Sequence, residues 1–313
     1  MRQSLKVAGN ILECIGDTPL LALRRVVPRS GARILLKIES ENPTGSMKDR
    51  MARAMIEAAE ADGRLKPGGS VVEYTGGSTG VSLSLVCSVK GYPLHIVTSD
   101  AFAREKLQHM ESLGATLKVV PSEGGGMTAK LTRTMIEEAR AISQTLGSFW
   151  TDQFNNKDQV TAYHAMAEEI WEQTGGKVDA FVQSVGTGGC LRGNAEGLRR
   201  RHPKVRIVAV EPSESAVLSG RPSGSHKIDG VGAGFVVPNW EPSLVDRIET
   251  VSTEEAKAMA ARLAREEGLF GGTSTGGNVL AALRTAEELE AGATVVTVMC
   301  DTGMKYFRQN AAS

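Results

Sequence analysis

Short apolar runs alternate along the chain with longer segments in which apolar residues recur every three or four positions. The runs have strand length and lie at residues 32–38, 71–74, 94–98, 116–120, 180–185, 205–210 and 294–299. The periodic segments predict helices at 48–62, 104–113, 127–146, 158–173 and 253–267, with further helices after residues 80, 190 and 277. This alternation is typical of parallel sheets with helices on both faces, so we predict an α/β fold.

The chain has 313 residues, which is enough for two domains. One long stretch, residues 219–242, is rich in glycine, proline and serine and shows neither a helix nor a strand period. A loop of this length inside a compact domain is usually functional or mobile. We therefore expect it near a functional site.

Composition and charge exclude several classes of protein. The formal net charge is zero and no basic patch is present, which excludes nucleic acid as a partner. No apolar run is long enough to span a bilayer, and residues 1–10 lack the apolar core of a secretion signal. Cys14, Cys87, Cys190 and Cys300 have neither metal-ligand nor disulfide spacing, so no metal site is expected. We predict a cytoplasmic enzyme with reduced thiols.

The decapeptide from Glu41 to Arg50 combines turn-forming residues with the start of a predicted helix. Lys48 is therefore expected at a helix N-terminus, where the helix dipole favours a neutral amine. A neutral lysine amine can act as a nucleophile or form a Schiff base with a carbonyl compound. The plain alternative is a surface lysine that begins a helix.

Three loops rich in glycine, serine and threonine each precede a predicted helix, at Thr75–Gly80, Gly186–Cys190 and Gly271–Gly277. Such loops present backbone N–H groups at a helix N-terminus and bind anions. Gly186–Cys190 suits a phosphate, although it is neither a Walker loop nor a dinucleotide fingerprint. Thr75–Gly80 suits a carboxylate. Each loop alone could be a simple turn, but together with Lys48 they predict one site for a phosphate-bearing aldehyde cofactor and an anionic substrate.

Taken together, these motifs resemble those of the cysteine synthase family of pyridoxal-phosphate enzymes. They are also similar to those of its relatives, the cystathionine β-synthases and the serine and threonine dehydratases. They follow the family's order from about residue 11 to residue 303 and are highly specific as a set. The matching segments are Gly16–Leu20, Asn42–Arg50, Thr75–Gly80, Gln153–Phe154, Gly186–Gly189, His226–Phe235 and Gly272–Gly276.

The resemblance implies a fold of the tryptophan synthase β-like type. Two three-layer αβα domains with mostly parallel sheets would hold pyridoxal 5′-phosphate in the cleft between them. The smaller domain would span residues 46–150, and the larger would combine residues 1–45 with 151–313. By the same analogy we expect a homodimer.

The resemblance also implies a role for each candidate site residue. Lys48 would hold the cofactor as an internal aldimine and then remove the substrate α-proton. The other cofactor-binding residues would be Ser78, Gly186, Thr187, Gly188, Gly189, Cys190 and Ser274, the last of these at the pyridine nitrogen. The substrate-binding residues would be Thr75, Gly76, Gly77, Thr79, Gln153 and Gly230.

The implied reaction is replacement at the β-carbon of an activated L-serine such as O-acetylserine. A neutral serine hydroxyl at the pyridine nitrogen makes the ring a weaker electron sink, which favours loss of the β-leaving group to give an aminoacrylate. Addition of sulfide would then make L-cysteine, so we expect a cysteine synthase-like transferase of amino-acid biosynthesis with ping-pong kinetics. The alternatives are a dehydratase or cysteine desulfhydrase, a cystathionine β-synthase-like condensation with another nucleophile, and a catalytically weak binding partner or regulator.

Several positions depart from the family pattern and leave the donor and the nucleophile open. The substrate loop of the family usually reads Thr-Ser-Gly-Asn-Thr-Gly, whereas this chain has Gly76 and Ser78 in place of the Ser and the Asn. Gly76 is expected to leave room beside the substrate carboxylate. Ser78 is expected to reach the cofactor's 3′-oxygen only through water or a shifted loop. Arg221 either binds an anionic substrate group or lies exposed, and Asp301 is expected in a supporting place near the pyridine ring.

Overall fold

The computed structural model describes residues 7–28, 31–123 and 129–306. The strands in this part of the chain are β1 (Leu20–Ala22), β2 (Arg33–Ile38), β3 (Val71–Tyr74), β4 (Leu94–Ser99), β5 (Thr116–Val120), β6 (Phe149–Trp150), β7 (Ala180–Ser184), β8 (Arg206–Pro212), β9 (Arg247–Val251) and β10 (Thr294–Met299). The helices are α1 (Lys48–Ala61), α2 (Ser78–Lys90), α3 (Arg104–Ser112), α4 (Ala129–Leu146), α5 (Asp158–Gln173), α6 (Gly189–Arg201), α7 (Thr253–Arg262) and α8 (Thr273–Glu287). A π-helical turn, Leu263–Glu267, continues α7.

The strands form two sheets. The larger has six strands in the order β1-β2-β10-β7-β8-β9, and only β1 runs antiparallel to its neighbour. The smaller has four parallel strands in the order β5-β4-β3-β6. The predicted α/β fold with mostly parallel sheets is therefore confirmed. The predicted start of one helix at Met127 lies outside the described residues.

The central strand β10 shows why apolar runs mark these strands. All six of its residues are buried, and it pairs in parallel with β2 on one side and β7 on the other. A strand that is covered on both faces needs apolar side chains at successive positions, which is the pattern seen in the sequence.

Helix α1 joins the two sheets. It packs against α2 and against α5. Met51 and Met55 of α1 belong to one hydrophobic cluster with Val71 of the smaller sheet and Phe181 of the larger. The helix that begins at Lys48 is thus held in a core shared by both sheets.

Candidate active site

A cavity of about 300 Å³ is lined by residues that follow the carboxyl ends of β3, β7 and β10. Ligands of open parallel sheets bind at such ends. The predicted site residues that line the cavity are Lys48, Thr75, Gly76, Gly77, Ser78, Thr79, Gln153, Gly186, Thr187, Gly230 and Ser274. Gly188, Gly189 and Cys190 lie behind the lining, in the turn and first residues of α6.

Lys48 is the first residue of α1, as predicted. The segment before it is fixed to the residues after β10: the Met47 N–H donates to the Cys300 carbonyl at 2.8 Å, and the Thr302 N–H donates to the Gly45 carbonyl at 2.9 Å. Within the described chain the Lys48 amine has no hydrogen-bond or ion-pair partner. It faces the cavity and is free to react there.

The next residue, Asp49, ties α1 to α2. Its carboxylate accepts hydrogen bonds from the Thr44 hydroxyl at 2.5 Å, the Thr44 N–H at 2.8 Å and the Ser82 hydroxyl at 2.5 Å. Burial raises the pKa of Asp49, while these hydrogen bonds oppose the rise. The loop before Lys48 and helix α2 therefore share one buried acceptor.

Arg50 ties α1 to the larger sheet. Its guanidinium pairs with Glu39 at 2.7 Å and with Glu169 of α5 at 2.7 Å. Burial opposes ionisation of Glu169, but the hydrogen bonds from Arg50 and the charge of Lys37 bring its pKa down to about 2. Lys48 is thus flanked by anchors to both halves of the molecule.

The loop Thr75–Gly80 forms the wall expected to hold a carboxylate, and α2 begins inside it. The Gly77 N–H donates to the Thr75 hydroxyl at 3.1 Å, and the Thr79 hydroxyl donates to the Gln153 side-chain oxygen at 2.9 Å. The Gln153 amide in turn donates to the Tyr74 carbonyl at 3.2 Å. Gln153 therefore braces the loop as well as facing the cavity.

The space expected beside Gly76 is filled. A Cβ atom built on Gly76 would lie 1.9 Å from the ring carbons of Phe102. The interpretation of Gly76 as open room was wrong, because it left out a ring supplied by the segment between β4 and α3. The aromatic surface takes the place of a polar side chain at this wall.

The turn before α6 has the form expected of a phosphate cradle. Gly188 adopts φ +87°, which favours glycine, and α6 begins at the next residue. The Thr187 hydroxyl donates to the Gln159 side-chain oxygen at 2.5 Å. Burial raises the pKa of the Cys190 thiol well above its ordinary value, so this thiol stays neutral behind the turn.

Ser78 belongs to a polar cluster that the sequence did not reveal. Its hydroxyl donates to Asp301 Oδ2 at 3.2 Å, and Tyr306 donates to the same oxygen at 2.6 Å. The Lys305 ammonium donates to the Ser78 hydroxyl at 3.3 Å. Asp301 Oδ1 is buried without a partner in the part of the chain described. Polar residues after a strand are too common to have signalled this arrangement.

Ser274 lies in the first turn of α8, is buried, and lines the cavity. Its hydroxyl is a hydrogen-bond partner of the Cys300 thiol, whose pKa is raised by burial. Both groups are neutral, so Ser274 can offer a ring nitrogen an uncharged hydroxyl.

The charged residues of the cavity differ from those expected. Lys106 and Asp229 line it and were given no role. Lys106 lies in a polar segment typical of a surface, whereas Asp229 lies inside the matching segment His226–Phe235. Arg221 is exposed and does not line the cavity. Of the two alternatives for Arg221, the structure therefore supports an exposed side chain.

These residues fit pyridoxal phosphate. The cavity brings together an unpartnered lysine amine, a glycine turn at a helix N-terminus for a phosphate, and a neutral hydroxyl for the ring nitrogen. A Cβ on Gly186 would lie 2.3 Å from the Gly230 carbonyl oxygen, so the cradle requires glycine there.

The described residues contain no helix of the length and apolarity needed to cross a membrane. In the same ranges, histidine, cysteine, aspartate and glutamate side chains nowhere gather in a group of three or more that could hold a metal ion.

Comparison with known proteins agrees with this geometry. Residues 11–301 match the family described as pyridoxal-phosphate dependent enzyme. A cysteine synthase of Staphylococcus aureus is 38% identical over 303 residues, which is 96% of each chain. The crystal structure of a cysteine synthase from Entamoeba histolytica has a TM-score of 0.92 and 38% identity, and the match covers 98% of this chain and 91% of that one. An O-ureido-L-serine synthase structure has a TM-score of 0.88 and 34% identity, covering 96% and 94%.

The match to the family model spans more than nine-tenths of the chain, and the relatives match over nearly their whole length. The cofactor predicted from Lys48 and the glycine turns is the one named in the family's description. The chain belongs to the family of pyridoxal-phosphate-dependent enzymes and, within it, to the cysteine synthase type.

Proposed function

We propose that the protein replaces the β-substituent of an activated L-serine and makes L-cysteine from O-acetyl-L-serine and sulfide. The observation that carries the proposal is the convergence of Lys48, the Thr75–Gly80 loop and the Gly186–Thr187 turn on one cavity. A related structure bears the name cysteine synthase and another the name O-ureido-L-serine synthase. The identity of the donor as an activated L-serine is therefore inferred from the family. The identity of the nucleophile is tested by the experiment below.

Each wall of the cavity has a distinct task in this reaction. The bound cofactor supplies an aldehyde for the amine and a conjugated ring that withdraws electrons from the α-carbon. The Lys48 amine moves the α-proton. The loop Thr75–Thr79 would hold the α-carboxylate at the N-terminus of α2. Ser274 meets the ring nitrogen with a neutral hydroxyl, which suits loss of a β-leaving group.

The turn at Gly186–Gly189 and Cys190 would hold the cofactor phosphate. Gly186 and Thr187 face the cavity, while Gly188, Gly189 and Cys190 complete the turn behind them. Gly230 faces the cavity from the 219–242 loop, packs against Gly186 of this turn, and would lie beside the substrate amine.

Aromatic rings form the apolar part of the wall. Phe102, Phe154 and Phe235 line the cavity, and the last two rings meet edge to face with centroids 5.2 Å apart. Rings in these positions limit the water that reaches the reacting carbon. Less water favours addition of a nucleophile over hydrolytic release of a keto acid.

We propose the division into a smaller domain, residues 46–150, and a larger one, residues 1–45 plus 151–313. Its support is the presence of two separate sheets whose strands fall on either side of this division. We also propose a homodimer in the cytoplasm, by analogy with the family. Light scattering of the purified protein tests the dimer.

The function is tested by the visible absorption of the purified protein before and after O-acetyl-L-serine is added without a thiol. A cofactor band that shifts on addition and returns when sulfide follows, with release of cysteine, is the expected result. Lys48→Ala should lose turnover by at least about a thousandfold, while Lys66→Ala, at an exposed position, should not. Release of pyruvate and ammonia without sulfide would instead establish a lyase. No cofactor band after addition of pyridoxal phosphate would overturn the proposal.

A further inference from the structure

Lys106 is a cation in the cavity that the proposed reaction does not use. It lies in the first turn of α3, lines the cavity, and is 8% exposed. Its ammonium lies 4.1 Å from the centre of the Tyr306 ring. Across the described residues it forms no ion pair with a carboxylate. Burying an ammonium without a counter-charge is unfavourable, so its position calls for an anionic partner.

The two anions of the proposed reaction already have their own sites. The cofactor phosphate is served by the turn before α6, and the donor's α-carboxylate is served by the loop before α2. Lys106 forms no hydrogen bond with either of these segments in the described part of the chain. It contacts the ring of Tyr306, which belongs to the Ser78–Asp301 cluster. The Lys106 ammonium is therefore available to a third anionic group in the cavity.

Asp229 is a carboxylate that lines the same cavity as Lys106. It lies on the 219–242 loop, whereas Lys106 lies on α3, and the two do not form an ion pair in this structure. Burial raises the pKa of Asp229, and the positive charge of Lys106 opposes that rise. The Lys106 ammonium therefore has N–H donors that can bind a group lying between α3 and the 219–242 loop.

Resting on the proposed β-replacement, we infer that Lys106 determines specificity by binding an oxyanion that a substrate carries in addition to the donor's α-carboxylate. Two substrates can bring such a group. It is either an anionic leaving group on the donor, such as a phosphate ester, or the carboxylate of an organic nucleophile. Lys106 donates hydrogen bonds to that oxyanion and does not take part in bond making.

The experiment compares matched pairs of substrates that differ in charge. In the donor arm, O-phospho-L-serine and O-acetyl-L-serine are mixed with holoenzyme without a nucleophile, and the rate of the cofactor's absorption change is measured. In the nucleophile arm, mercaptoacetate and 2-mercaptoethanol are added after the donor, and the return of the absorption is followed. Each rate is expressed as the ratio of the anionic to the neutral member.

Lys106→Gln should lower this ratio in one arm by about tenfold or more, because a hydrogen bond to a charged group is lost. Lys106→Arg should keep most of the ratio. Arg104→Gln removes the same charge from an exposed position of the same helix and should leave both ratios unchanged. The arm that changes identifies the substrate that carries the oxyanion.

Unchanged ratios in both arms for a folded, cofactor-loaded Lys106→Gln variant would overturn the inference while leaving the β-replacement standing. An equal loss for all substrates, with an altered cofactor spectrum, would also overturn it, because Lys106 would then act on the cofactor. Calorimetric titration with inorganic sulfate gives a readout that needs no turnover. The wild-type holoenzyme should show a binding site that Lys106→Gln lacks, and identical isotherms would count against the inference.

Discussion

The ring of Phe102 occupies the place where a side chain at residue 76 would begin, 1.9 Å from a Cβ atom built on Gly76. The glycine and the ring are therefore coupled: a side chain can be added at residue 76 only if the Phe102 ring moves or is replaced. This pair replaces a polar contact in the substrate loop with an aromatic surface.

Gly76→Ala should destabilise the protein by about 1 to 3 kcal/mol, because Phe102 must leave its position. Adding Phe102→Ala should recover most of the loss that the glycine substitution caused, measured as a double-mutant cycle by urea unfolding. Gly77→Ala is the control, since its Cβ would come no closer than 4.0 Å to another residue. Additive effects of the two substitutions would contradict the coupling.

Arg50→Leu should lower the free energy of unfolding by about 3 to 5 kcal/mol, because it leaves Glu39 buried without its cation and leaves Glu169 with Lys37 alone. Arg262→Leu breaks an exposed pair with Glu266 and should cost at most about 0.5 kcal/mol. Thermal and urea unfolding of the two variants provide the measurement. Equal losses would mean that the buried pairs do not anchor α1.

Glu73 should make the protein less stable as the pH rises. Burial raises its pKa from 4.5 to about 7, although three hydrogen bonds oppose this. The folded state then binds the proton more tightly than the unfolded state. Between pH 4.5 and 7 the free energy of unfolding should therefore fall by about 3 kcal/mol on account of this group.

Urea unfolding of Glu73→Gln and wild type across this pH range provides the measurement, and the variant should gain relative to wild type as the pH rises. Glu169 should change the free energy of unfolding with pH in the opposite direction. Its pKa is lowered to about 2, so its contribution is lost as the pH falls below 4.5. Parallel pH profiles for wild type and Glu73→Gln would show that folding does not raise the pKa of Glu73.

Arg221→Ala should change the ratio of kcat/KM for O-phospho-L-serine and O-acetyl-L-serine by less than about twofold, as expected of a surface position. Steady-state kinetics with the two donors measure it. A large loss confined to O-phospho-L-serine would mean that the 219–242 loop brings Arg221 into the cavity during turnover.

The helices and central strands could be predicted from sequence because burial on both faces leaves continuous apolar runs. The strands β1, β6 and β9 were missed, and all three lie at sheet edges. An edge strand pairs on one side only and needs fewer apolar residues, so its pattern is weak. The edge strand β5 was found because Leu117, Val119 and Val120 make most of its side chains apolar.

The family, the cofactor and the β-replacement type were predicted correctly from the motifs. The assigned roles of individual site residues stay predictions, although most of those residues line the cavity. Lys106 could not be found, since its neighbours in sequence are polar and its burial arises from Tyr306, about 200 positions away. Contacts between distant segments leave no periodic signal.

The place of β10 in the larger sheet has a consequence for how the protein is made. This strand begins at Thr294 and fills the position between β2 and β7, which were synthesised long before it. Until it emerges from the ribosome, both neighbours have an unpaired edge, and the segment that fixes Met47 and faces Ser274 does not exist. The growing chain therefore gains its cofactor site in one late step, and uptake of the cofactor marks chains that have been completed through Asp301.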